Sequence, residues 1–286
     1  MSREKIVGIV GQGFVGSAVK KGFESVSRVE TYDKYKTDLS SCESLEQVAI
    51  QSDFIFFCLP TPMRKNGTCD LRIITGALEE LDKICVINNF KRIAIVKSTI
   101  LPGTTEKWNS YLENVRVVFN PEFLTEANAI NDFLNQTRII LGGPRPATSK
   151  VRTLFSKAFP RDPIIKTSST IAETVKYFTN CYLATKVSFC NEIKQVCDRL
   201  EIDYDKVVEY TLYDKRLGNS HWSVPGPDGD YGFGGHCFPK DLNAMIQLAK
   251  SLGITPSVMQ SVWDKNEEVR NDRDWLEMSG RAVSDD

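Results

Sequence analysis

The sequence predicts an α/β protein: a doubly wound, mostly parallel sheet, then a long helix and an all-α region. Three observations lead there. Short apolar runs alternate with helical stretches over roughly the first 165 residues. A glycine-rich turn, Gly11-Gln12-Gly13-Phe14-Val15-Gly16, closes the first of those runs. Beyond Ser168 the hydrophobic period becomes that of helices.

Candidate strands lie at residues 5–10, 28–32, 53–58, 92–97, 116–119, 138–141 and 163–166. Phe54-Ile55-Phe56-Phe57 is apolar at every position, the pattern of a strand covered on both faces. Thr170-x-x-Glu173 then has the form of a capping box. Apolar residues follow at Ile171, Val175, Phe178, Tyr182, Phe189, Ile193, Val196 and Leu200. Their spacings are threes and fours, with one seven across Thr185, which predicts a single helix of about eight turns. So long a helix spans domains or builds a subunit interface. Shorter helices are expected at 204–212, 240–252 and 256–269, with a polar, Gly/Pro-rich loop at 217–235. The stretch after Asn271 is polar and aperiodic. The expected organisation is a dinucleotide-binding domain at 1–168 and a helical domain with a polar tail at 169–286.

Composition narrows the function classes. The 286 residues carry 36 Lys+Arg against 37 Asp+Glu, so no basic field exists to attract nucleic acid or a membrane surface. Hydrophobic residues make up 41%, enough for a packed core. No apolar run approaches the roughly 18 residues of a membrane helix. The run at 6–10 is too short and glycine-rich for a secretory signal, so a cytoplasmic location is expected. Eight cysteines contain no CxxC pair and only two histidines accompany them, so neither a zinc site nor a disulfide framework is expected. Most of these thiols read as small buried hydrophobes.

The GxGxxG turn follows an apolar strand and opens a helix, the context of a Rossmann-type dinucleotide site. Its glycines permit a tight turn and close approach of a pyrophosphate to the N–H groups of Gly13, Phe14, Val15 and Gly16. Asp33, 20 residues past Gly13 at the end of the next strand, suits the ribose hydroxyls of NAD and repels a 2′-phosphate. Lys34 and Lys36 soften that preference. The bland alternative is a strand–helix turn without a ligand.

The most informative stretch is Gly232-Phe233-Gly234-Gly235-His236-Cys237-Phe238-Pro239-Lys240-Asp241. Pro239 suits a first helical turn, which puts Cys237 just ahead of a helix N-terminus. There the dipole stabilises a thiolate. Asp241 follows by one turn. A nucleophilic thiol beside a nicotinamide suggests hydride removal, capture of the aldehyde as a thiohemiacetal, a second hydride removal, and thioester hydrolysis. A buried structural cysteine is the alternative. Lys176 and Asn180, at i,i+4 on the long helix, suit oxyanion stabilisation, or equally a solvated helix face. Glu122 and Glu126, after a strand, suit substrate positioning and proton relay, or are surface carboxylates. Ser98-Thr99 ends an apolar strand where ligands of open α/β sheets collect.

Together these segments resemble the UDP-glucose/GDP-mannose dehydrogenase family, from about Ile6 to Glu267. The matching segments include the GxGxxG with Asp33, Cys58-Leu59-Pro60-Thr61-Pro62 and Lys97-Ser98-Thr99 with Pro102-Gly103-Thr104-Thr105. They continue with residues 120–126, 173–180, Arg216-Leu217-Gly218-Asn219 and GFGGHCFPKD. The resemblance implies Cys237 as nucleophile and Lys176 with Asn180 as oxyanion donors. It implies Asp241 and Thr99 around the hydrolytic water, and Glu126 as acid/base or water-orienting group. Glu122, Phe123, Leu124 and Gly234 would line the sugar pocket. Thr61, Thr99, Glu126 and Lys240 would touch NAD. It further implies a homodimer through the helical domain, with Arg216 reaching the partner subunit's substrate. The loop between Asn219 and Gly232 is a few residues longer than in many members. A short form without the family's second nucleotide-binding domain is also expected.

Two other functions stay open from sequence. A two-electron β-hydroxyacid dehydrogenase shares the layout and a Lys/Asn pair but has no need of the Cys237 motif. A non-catalytic NAD-binding protein has no need of Cys237, Lys176, Asn180 and Asp241 together.

Overall fold

All seven apolar runs form strands, each within one residue of the predicted bounds, in the computed structural model, which describes residues 5–284. They are β1 (Ile6–Val10), β2 (Arg28–Tyr32), β3 (Phe54–Phe57), β4 (Arg92–Val96), β5 (Val115–Phe119), β6 (Ile139–Gly142) and β7 (Ile164–Thr167). One sheet results, in the order β2-β1-β3-β4-β5-β6-β7. Its pairs are parallel except β5 with β6, which meet antiparallel at Phe119 and Gly142. The order reverses beside β1, the switch point where ligands of doubly wound sheets bind.

Two compact units divide the chain. The first holds the residues up to Thr61 together with Leu71–Lys176, and the second holds Pro62–Asp70 and the chain from Tyr177 onward. In the first unit the sheet is flanked by α1 (Phe14–Phe23), α2 (Leu45–Gln51), α3 (Arg72–Ile87), α4 (Thr104–Tyr111), α5 (Ala129–Leu134) and α6 (Arg145–Ala158). The all-apolar β3 explains itself here. Phe54 and Phe56 enter one hydrophobic layer with Phe23 and Phe155, while Ile55 and Phe57 enter the opposite layer with Val48 and Leu78. Successive strand residues point to opposite faces, so a sheet covered on both sides requires apolar residues throughout.

The long helix, α7 (Ser169–Arg199), runs 31 residues. Its start corrects the capping-box reading. Ser168 is the cap, its hydroxyl accepting from Ile171 N at 3.3 Å. Glu173 does not reach back to Thr170. Its fully buried carboxylate accepts from Gly103 N at 2.6 Å and Thr105 N at 2.8 Å, at the start of α4. Burial pushes this carboxyl up, against the downward pull of those N–H groups.

The second unit contains the rest of α7 with α8 (Tyr204–Thr211), α9 (Phe238–Ser251) and α10 (Ser257–Val269). Here α7 buries Tyr177 and, beyond it, turns mainly small residues inward. Cys181 and Ala184 join Phe233, Leu242, Ile246 and Val262 in the core. Of the predicted apolar stripe, Phe178, Tyr182, Phe189, Val196 and Leu200 are exposed, Phe178 to 70%. The aperiodic stretch after Asn271 is packed: Trp275 is buried and stacks edge-on to Trp263, with centroids 5.7 Å apart. Met63 N donates to Ala282 O at 2.7 Å and Ser284 N to Met63 O at 2.8 Å, joining that stretch to the Pro62–Asp70 segment. Among the described residues no helix is long and apolar enough to cross a membrane.

Replacing Glu173 by alanine strands two N–H groups in the core. The expected loss is about 1–3 kcal/mol, read as a lower urea midpoint at unchanged m value. Thr170→Ala, which removes no cap, is expected to stay within about 0.5 kcal/mol.

Candidate active site and dinucleotide loop

The three glycines of the phosphate loop serve different needs. Gly11 has φ +94° after β1, and a Cβ there would sit 2.5 Å from Cys58 O. At Gly16 a Cβ would sit 1.9 Å from Gly11 O, so α1 can lie against the turn only as glycine. At Gly13 a Cβ would meet nothing within 4 Å. That space lies at the N-cap of α1, where no side chain caps the first turn. Its N–H groups and helix dipole suit a pyrophosphate. Asp33, past β2, holds the loop itself. Its Oδ2 accepts from Gln12 N at 2.6 Å, and its Oδ1 from Tyr35 N at 2.9 Å and Lys36 N at 3.0 Å. Burial raises this carboxyl, but the three N–H groups and Lys36 outweigh it and hold the pKa below the ordinary value. Its ionised form is therefore favoured. These features fit a bound dinucleotide.

At the strand ends beside this loop, the Ser98 hydroxyl accepts from Leu59 N at 3.0 Å and donates to Leu59 O at 2.6 Å. The Thr61 hydroxyl donates to Thr99 O at 2.7 Å. Thus Ser98 is occupied in tying β3 to β4, and Thr61 and Thr99 are brought together. After β5, Glu122 is buried rather than on the surface. Its Oε2 lies 3.0 Å from Lys97 Nζ, and its Oε1 accepts from Leu124 N at 2.8 Å. Lys97 Nζ also donates to Asn120 Oδ1 at 3.0 Å. Lys97 had no assigned role from sequence; its signal was a lysine directly after the apolar run at 93–96. Glu126 lies exposed in the following loop. Lys176 is buried, its Nζ 5.6 Å from the centroid of the Phe123 ring, which Arg138 also covers at 4.5 Å.

In the second unit Cys237 is the N-cap of α9, with no side-chain cap bond, and Pro239 lies in the first turn. Asp241 is fully buried between Lys240, whose Nζ is 2.5 Å from Oδ1, and Asn180, whose Nδ2 donates to Oδ2 at 2.6 Å. Burial pulls the Lys240 ammonium down, but the neighbouring Asp241, with Cys237 and Cys69, carries it above its usual value. Lys240 thus puts a fixed positive charge beside the head of α9. Burial pushes the Cys69 thiol up to about 11 and Cys181 up to about 12. Those cysteines are poor nucleophiles at neutral pH.

Sequence reasoning missed the groups that hold the GFGG turn. Gly232, at φ +65°, donates to Asn191 Oδ1 at 3.1 Å. Asn266, fully buried, accepts from Phe233 N at 2.7 Å and donates to Phe233 O at 3.0 Å. Two amides inside apolar helix faces were the available signal. Arg216 lies on a short 3₁₀ turn (Lys215–Leu217), exposed, with its guanidinium on Asp214.

Residues 27–159 match the NAD binding domain of the UDP-glucose/GDP-mannose dehydrogenase family, and residues 170–268 its central domain. NAD is the dinucleotide of that first domain. The chain is 34% identical over 226 residues to UDP-glucose 6-dehydrogenase TuaD of Bacillus subtilis, covering 77% of this chain and 47% of that protein. It spans about half the length of the curated relatives it matches. A solved UDP-glucose dehydrogenase of Pyrobaculum islandicum superposes with a TM-score of 0.85 at 29% identity, over 93% of this chain and 69% of that one. A 3-hydroxyisobutyrate dehydrogenase of Mycobacterium tuberculosis gives 0.70 at 16% identity, over 93% of both chains. At that identity the likeness is one of fold alone.

Gly13→Ala is expected to leave the thermal midpoint within about 2 °C, since the added methyl meets no protein atom. It should weaken NAD binding about tenfold or more in calorimetric titration, because it fills the ligand's space. Gly16→Ala, by contrast, should cost about 1–3 kcal/mol of stability through overpacking.

Proposed function

The chain belongs to the UDP-glucose/GDP-mannose dehydrogenase family, and from that premise we propose that it is an NAD-dependent nucleotide-sugar 6-dehydrogenase. The substrate favoured is UDP-glucose, converted to UDP-glucuronate, as the names of the most similar relatives suggest. The observation that carries this reading is Cys237 at the head of α9, beside the buried Lys240–Asp241–Asn180 cluster. Bound NAD would supply the hydride acceptor for each of two successive oxidations.

The residues divide the remaining work. Cys237 Sγ would add to the C6 aldehyde, forming a C–S bond and an oxyanion. Lys176 and Asn180 would stabilise that oxyanion, with Asn180 oriented by its bond to Asp241. Loss of the second hydride leaves a thioester on Cys237. Water then breaks the C–S bond and releases the acid and the thiol. Asp241 and Thr99 would orient that water, with Glu126 assisting. The sum is one alcohol, two NAD⁺ and one water giving one carboxylate, two NADH and three protons. Glu122, Phe123, Leu124 and Gly234 would line the sugar pocket, with Glu122 acting as a buried anchor on Lys97. Thr61 and Lys240 would complete the cofactor contacts. Asp33 favours NAD over NADP.

We further propose a homodimer, supported by the row of Phe178, Tyr182, Phe189 and Val196 exposed on α7, with Leu200 just past its end. An exposed Arg216 would then be available to the partner's substrate. Eight free cysteines suit a reducing cytoplasm. The β-hydroxyacid reading is supported only by the length and fold shared with the 3-hydroxyisobutyrate enzyme. Cys237→Ala turning over a hydroxyacid at the unmodified rate would favour it.

With UDP-glucose the expected yield is two NADH per sugar and a product mass of the acid. Cys237→Ser should abolish the acid. A product stopping at the aldehyde in the unmodified protein rules out the thioester route. Phe178→Asp with Phe189→Asp should shift sedimentation from dimer to monomer.

A further inference from the structure

The turn that delivers Cys237 is built on an ion pair beyond the residues matched to the family's central domain, which end at 268. The Arg270 side chain is only 3% exposed and faces three carboxylates. Its Nη1 lies 2.7 Å from Asp228 Oδ2, its Nε 3.5 Å from Asp230 Oδ2, and its Nη2 3.4 Å from Asp274 Oδ1. It also donates from Nε to Asp272 O at 2.7 Å and from Nη1 to Tyr231 O at 3.4 Å. Asp230 reinforces the junction by accepting from Asn271 N at 3.1 Å and Asp272 N at 2.8 Å. One guanidinium therefore joins the loop at 228–235 to the segment at 270–274.

Asp274 extends that junction to the catalytic turn. Both of its oxygens accept from Gly235 N, at 3.1 and 3.0 Å. Gly235 has φ +69°. A Cβ on Gly234 would lie 2.2 Å from Arg270 Nη2 and 2.3 Å from Asp274 Oδ1, so the backbone rests directly on the ion pair. Cys237 is two residues further on, within about 7 Å of Gly235 along the chain.

We propose that Arg270 and Asp274 are positioning residues for Cys237, clamping the Gly234–Gly235 peptide and so setting where α9 begins and where its thiol is presented. Asp274 does this by chelating one N–H, and Arg270 by holding Asp274 and the opposite flank of the loop. Neither touches substrate or cofactor in this role. The inference rests on Cys237 being the nucleophile, as proposed above.

The test is alkylation of the full chain by iodoacetamide, with modification of each cysteine peptide followed by mass across pH. The assay needs neither sugar nor NAD. In Asp274→Ala, Cys237 is expected to alkylate about tenfold more slowly or with a displaced pH midpoint, since thiolate stability depends on its place at the helix start. Turnover should lose kcat with KM within about threefold. Asp274→Asn, whose amide oxygen still accepts from Gly235, should restore the rate to within about threefold. If Asp274→Ala does not fold, Asp274→Asn and Arg270→Lys decide. The first should keep the unmodified rate and the second should slow it, because an ammonium cannot span the carboxylates. Equal rates in those two variants, or an unchanged Cys237 in a folded Asp274→Ala, overturn the proposal. So does new labelling of Cys85 and Cys181 with the Cys237 midpoint unmoved, which marks a purely structural clamp. A failed two-NADH yield would leave the alkylation result standing, so the two readings fail separately.

Discussion

Buried backbone N–H groups need acceptors, and the turns of this protein are where that need is hardest to meet. Glycine-rich turns put the chain where ligands approach, yet they leave N–H groups outside any ladder or helix. At several of them a distant side chain answers. Asp33 serves Gln12, Glu173 serves Gly103 and Thr105, Asn191 serves Gly232, and Asn266 serves Phe233. Asp82 does the same at Asn114 N and Val115 N, at the entrance of β5. These acceptors act on orientation as much as on stability. A turn whose N–H is chelated has one conformation, and the residues it presents inherit that precision.

Two buried ion pairs extend the same logic to side chains. Lys97 with Glu122, and Lys240 with Asp241, each take opposite charges out of water. Desolvation makes such pairs weak contributors to net stability, while removing one partner is costly. Their value lies in geometry. Glu122 reaches back to Leu124 N and shapes the loop after β5. Asp241 fixes the Asn180 amide and keeps a lysine charged at the head of α9. Both pairs lie among residues assigned to chemistry or substrate by the proposed function.

The helix α7 shows how far periodicity can be read. Its length follows from the sequence, because spacings of three and four, broken by a single seven, run over about eight turns. Which face is buried does not follow. The large apolar stripe is largely outside, and the inward face carries Cys181, Ala184 and Ser188. Small residues allow close packing within the unit, and the Ser188 hydroxyl can reach Val262 O at 2.9 Å. Hydrophobicity alone points the helix the wrong way, since exposed apolar residues and core residues look the same in one dimension.

Local chemistry made much of this protein legible in one dimension. Strand bounds, the GxGxxG turn with Asp33, and Cys237 ahead of Pro239 depend on neighbours within a few residues, where propensity and spacing act directly. The acceptor for a given N–H does not. Glu173 lies 70 residues from Gly103, and Asp274 lies 39 from Gly235. No periodicity marks such pairs, because a hydrogen bond depends on distance in space and the chain brings them together only on folding. Glu173 therefore resembled half of a capping box, the partner of Glu122 went unnoticed, and the stretch after Asn271 resembled a polar tail. The sequence by itself determined which residue types stand at these turns and helix starts, and tertiary structure decided which distant groups hold them in place, because a hydrogen bond acts through space and not along the chain.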